Sequence, residues 1–176
     1  MKTKLVPIFL ISLLGISDAW AHSGHSLYQT GFWAGFLHPM MGPDHILAML
    51  AIGVWAVRQQ KKLFVLPLCF MGSMVLGALS SNLLVFSELE IAVTLTSALL
   101  VIGAYKNMAL LLGLSATVAA GFFHGMVHGQ EVPSNISFNL FVFGFMGGTA
   151  LLHIIGMLGA HIFKHYKKRS WISNQV

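Results

Sequence analysis

Five long apolar stretches dominate the chain, at about 31–57, 63–86, 89–105, 108–128 and 136–163. A hydrocarbon layer about 30 Å thick takes roughly 20 helical residues per crossing, and each stretch can cover most or all of it. The third is the shortest. Backbone in lipid must satisfy its own hydrogen bonds, which leaves helices or a closed barrel. Apolar runs this long read as helices. The expected fold is an all-α integral membrane protein, a compact bundle of about five transmembrane helices.

Charge placement agrees. Only 9% of the 176 residues are charged, against roughly 25% in soluble domains. A net charge of +5 could suggest nucleic acid, but the ten Lys/Arg residues sit at the amino tip, in connections and at the carboxyl end. None forms a basic stripe interleaved with aromatics, so no nucleic-acid partner is expected. The chain has no Gly-x-x-x-x-Gly-Lys-Ser/Thr phosphate loop, which removes an ATP-driven pump. Cys69 is the single cysteine and cannot form an internal disulfide.

Residues 1–21 have the layout of an export signal. Lys2 and Lys4 precede a short apolar core from Leu5 to Ile16, and Ala19-Trp20-Ala21 gives a small-x-small cleavage pattern. Cleavage leaves 22–176 as one transmembrane domain beginning outside; an uncleaved leader would make six helices. With the amino end outside, Arg58, Lys61, Lys62, Lys106, Lys164, Lys167, Lys168 and Arg169 all fall inside. The positive-inside rule is then obeyed throughout, with a cytoplasmic carboxyl end in the inner membrane. Glycines four apart (Gly31/Gly35, Gly121/Gly125/Gly129 and Gly144/Gly148) read as helix-packing seams.

Two polar clusters interrupt this apolar pattern. The first stretch carries His38, Pro39, Gly42, Pro43, Asp44 and His45. An ionisable group at membrane depth costs about 2.5–3.5 kcal/mol, and two prolines remove backbone donors. The helix is expected to break there and to expose carbonyls beside His38, Asp44 and His45, as ion sites in broken helices do. A hydrogen-bonded polar kink is the structural alternative. In the fourth stretch His124 and His128 are four apart and share a helix face, with Glu131 at the mouth. Imidazole with carboxylate suits divalent nickel, cobalt, zinc or copper better than calcium or magnesium; interfacial anchoring is the alternative. His153 could extend a path inward or be a packed histidine bonded to a carbonyl. His161 and His165 adjoin a solvated basic end, and His22 and His25 lead in from the amino terminus.

His38-Pro39-x-x-Gly42-x-Asp44-His45, followed by Leu47-Ala48-Met49, resembles the first signature of the HupE/UreJ family. Phe123-His124-Gly125-x-x-His128-Gly129-x-Glu131 resembles the second, with Val127 where alanine is frequent. The His-x5-Asp-His element is also similar to the His-x4-Asp-His element of another nickel/cobalt transporter class. The resemblance covers the whole chain. It implies a nickel or cobalt permease associated with hydrogenase or urease maturation, with His38, Asp44, His45, His124, His128 and Glu131 as transport residues.

The expected function is therefore non-ATP import of a divalent transition metal, Ni2+ or Co2+ as substrate, with no permanent cofactor and no enzymatic activity. Glu131 and His128 would capture the ion at the mouth, and the other four residues would hold it nearer mid-membrane. An intramembrane metalloenzyme, a haem carrier and a metal-binding sensor or accessory subunit are the rival readings. Assembly into a homo-oligomer is left open.

Overall fold

The computed structural model describes residues 31–59, 62–82 and 89–173; the leader at 1–21, His22 and His25 lie outside the described residues. The described backbone is helical, with no strand. A short α1 (Gly31–Leu37) runs into a single 3-10 turn, His38–Met40, and α2 spans Pro43–Arg58. Then come α3 (Val65–Ser80), α4 (Leu89–Lys106), α5 (Leu110–Gln130) and α6 (Phe138–Ser173).

Each apolar stretch thus holds helix, with two qualifications. The first is broken where its prolines stand. The second is helical over Val65–Ser80, shorter than the 63–86 stretch, and 83–88 lie outside the described residues. Among the described helices, α5 and the Phe138–Tyr166 part of α6 are each long and apolar enough to cross a membrane. Gly31–Met40 and His45–Arg58 together qualify as one span bent by 76°. Val65–Ser80 and Ile91–Lys106 are shorter apolar helices. The protein is a multi-pass helical membrane protein.

The bend follows from local chemistry. Pro39 and Pro43 have no N–H to give, so the α-helical ladder lapses between them. Met41 N–H closes the 3-10 turn on the His38 carbonyl at 3.0 Å. Gly42 is extended, and Pro43 starts the next helix at its first position, where no donor is missed. At the other end of the bundle, Asn107 takes a left-handed conformation (φ 52°). Met108 N–H then reaches the Gly103 carbonyl, a glycine-type stop that turns α4 back into α5. The Arg58 guanidinium donates to the carbonyls of Ala104 and Tyr105, tying the end of α2 to the end of α4.

Glycines decide which helices touch backbone to backbone. A Cβ on Gly125 or Gly77 would run into the backbone of the facing helix, at Met74 or Phe122 respectively, so α3 and α5 lie flush. Gly35 on α1 and Gly144 on α6 do the same against Phe141 and Phe32. Gly53 on α2 meets the His153 carbonyl, and Gly156 on α6 meets that of Leu50. These contacts bear out the seams at Gly35, Gly125 and Gly144. Inside, Ile52, Trp55, Leu66, Phe70 and Leu100 are fully or almost fully buried. Outside, Leu68, Leu76, Leu95, Leu111, Phe143 and Ile162 are well exposed, an apolar surface that suits lipid rather than water.

Candidate metal centre

His128 occupies the last turn of α5 and faces inward, 5% exposed. Its Nδ1–H donates to Glu131 Oε2 at 2.8 Å, a pairing favoured because Glu131 stands three residues on, just past the helix end. His38 comes from the 3-10 turn, with Nε2 3.0 Å from His128 Nδ1 and 3.6 Å from Glu131 Oε2. His45, at the third position of α2, puts its Nε2 2.6 Å from His128 Nε2. With Nδ1 protonated toward Glu131, His128 Nε2 is the acceptor and His45 Nε2–H the donor in that contact.

Three candidate ligand atoms, from His38, His128 and Glu131, lie within 4.8 Å of one another. Ligands about 2.0–2.1 Å from a divalent ion stand about 3 Å apart. The observed spacings match that without large movement. Burial opposes the charge on Glu131, but hydrogen bonds from His128 and His38 hold its carboxyl well below the usual carboxylate range. An ionised oxygen therefore sits between two imidazoles at a half-exposed position, which suits a cation.

His124 lies one turn deeper and is fully buried. Its Nδ1–H donates to the Ala120 carbonyl at 2.8 Å, which fixes the tautomer and puts the lone pair on Nε2. The His45 and His124 rings are 5.0 Å apart between centroids. Asp44 is the second residue of α2, directly before His45; its side chain lies outside what is described.

The expected stepwise arrangement, with His38 and His45 deeper than His128, is corrected by this geometry. Both touch His128 directly. The 76° bend turns α1 aside, so α2 begins at the level where α5 ends. His38, His45, His124, His128 and Glu131 form one continuous cluster.

Sequence reasoning missed the wall of the site. Phe141 and Phe145 on α6 are 3% exposed and pack against His38 with centroids 5.6 and 5.7 Å away; Phe145 also lies 4.9 Å from His128. The signal was present as a ladder of four-residue steps, Phe141, Phe145, Thr149 and His153, all buried on one face of α6. His161 and His165 face each other, 4.6 Å apart between centroids, on the exposed far part of α6, away from this cluster.

The family model described as HupE / UreJ protein matches residues 10–175. The chain belongs to the HupE/UreJ family. "Protein HupE" of Rhizobium leguminosarum bv. viciae is 34% identical over 161 residues, covering 89% of this chain and 83% of that protein. No solved structure matches the chain. Within this HupE/UreJ chain both signature segments supply side chains to one site: His38 and His45 from the first, His124, His128 and Glu131 from the second.

Proposed function

We propose that this HupE/UreJ protein is a secondary permease that imports a divalent transition metal, nickel or cobalt, across the cytoplasmic membrane. The observation that carries the reading is the convergence of His38, His128 and Glu131, with His45 on His128, at one end of a membrane bundle. Arg58, Lys62, Lys106 and Lys164 belong to the opposite end, which the positive-inside rule assigns to the cytoplasm. The histidine end then faces outward, where substrate arrives.

In this reading Glu131 and His128 attract and partly dehydrate the ion. His38, Asp44, His45 and His124 complete its coordination. Binding is exchangeable, since a closed cage would trap the ion. For two charges the membrane potential supplies about 4.6 kcal/mol per 100 mV, roughly thousandfold accumulation. Metal must displace protons from imidazole, so acid should slow uptake. Supply of nickel to hydrogenase or urease maturation is the physiological role that fits.

The deciding experiment is uptake of nickel, cobalt, zinc and copper by cells with and without the protein, measured by mass spectrometry. Selective accumulation of nickel or cobalt is expected; equal metal content in both would reject the permease. Orientation is tested separately in a Cys69→Ala background. Val132→Cys should react with an impermeant thiol reagent from outside and Lys61→Cys should not; the reverse pattern would overturn the topology.

A further inference from the structure

His153 stands apart from the cluster just described. It lies on α6, 1% exposed, and neither ring nitrogen has a hydrogen-bond partner. The packed alternative, a histidine bonded to a carbonyl, is not what the structure contains. Thr149, one turn earlier on the same face, is fully buried and its Oγ1 is also unpartnered. Buried polar groups are nearly always paired, and those that are not call for a reason.

The surroundings of His153 suggest one. The ring of Phe70 packs against both His124 and His153, 5.5 Å from each between centroids. Gly53 brings α2 against the His153 backbone. The next residue, Val54, lines an open cavity of about 560 Å³ with Arg58, Gly159, Ala160 and Lys164 at the basic end. Along α6, His153 therefore lies between Phe145 at the histidine cluster and Gly159 at that cavity, and one aromatic ring touches both it and His124.

We propose that His153, with the Thr149 hydroxyl, is a second, inner station for the same class of divalent cation, filled from His124 past Phe70 and emptied into the cavity. The proposal rests on the permease reading above. One imidazole and one neutral hydroxyl make a weaker ligand set than the several imidazoles and carboxylates of the outer cluster. That gradient favours forward release over trapping.

The test uses purified protein in a Cys69→Ala background, reconstituted into liposomes that enclose a metal-sensitive dye. His153→Gln, His153→Phe and His153→Cys are compared for influx of Ni2+, Co2+ and Cd2+. Binding of Co2+ by the outer cluster is titrated in parallel by absorbance. All three variants should bind Co2+ at the outer cluster as the parent does. His153→Gln and His153→Phe should slow influx at least about tenfold. His153→Cys should restore it and shift preference toward Cd2+, because thiolate is the softer ligand. Parental influx in all three, or rescue by Gln or Phe but not Cys, would overturn the inner station and leave the permease standing. If His153→Phe fails to insert, the Gln and Cys pair decides. Parent protein that binds Co2+ yet admits no metal would overturn the permease, and the inner station with it.

Discussion

Nε2 of His45 lies 2.6 Å from Nε2 of His128, joining residues 83 positions apart. Two imidazole nitrogens that close share a proton. A cation taking that place must expel it. His128 is also the residue on which His38 and Glu131 converge. His128→Ala should therefore weaken Co2+ binding by at least about tenfold, the scale seen even for residues that only support a metal site. Titration of the purified protein measures this, and unchanged affinity would remove the cluster as the ion site.

Glu131 gives a pH signature in metal-free protein. Its carboxyl is held below the usual range by His128 and His38 against the opposing effect of burial. A lowered folded-state value contributes stability above the unfolded value, about 4.3, and loses it as pH falls toward the folded value. Glu131→Gln should melt earlier than the parent at pH 6–7, with the gap narrowing below about pH 4. The gap should be modest, because the Glu131 side chain is 39% exposed. Melts in chelator across a pH series check this; a constant gap would contradict it.

Asp44→Asn keeps side-chain volume and removes a negative charge beside His45. Insertion and expression should persist while uptake nearly vanishes, since a dehydrated dication needs counter-charge. Uptake is normalised to membrane-inserted protein. Normal transport at normal expression would reject Asp44 as a ligand.

Gly125→Ala and Gly72→Ala separate close packing from composition. A Cβ at Gly125 would meet the Met74 backbone, whereas one at Gly72 has nothing within 4 Å. Backbone cannot step aside as a flexible side chain can. Gly125→Ala should cost about 1–3 kcal/mol and lower both yield and melting temperature, while Gly72→Ala should change neither. Equal melting temperatures would disprove the α3–α5 seam.

The break in the first stretch was legible because proline acts locally: Pro39 and Pro43 lack donors in any context. The shared face of His124 and His128 was legible for a similar reason, being fixed by helical spacing. Their partners were not. Contacts such as His38 with His128 span 90 residues and depend on how far the bend swings α1 aside. The depth of His45 was misplaced for the same reason. Local pattern also could not distinguish Phe141 and Phe145, which wall the site, from Phe143, which is 67% exposed on the same helix.

The glycine contacts divide the ligands between two halves of the bundle. Gly77 and Gly125 weld α3 to α5, which carries His124 and His128; Gly35, Gly53, Gly144 and Gly156 weld α1 and α2 to α6, placing His38 and His45 in the other half. Among the described glycines, none brings the backbones of the two halves together. A cation held by His38 and His128 would thus span the two halves. Its binding energy would act on the separation of the halves, and any movement that parts them would pull the ligand set open.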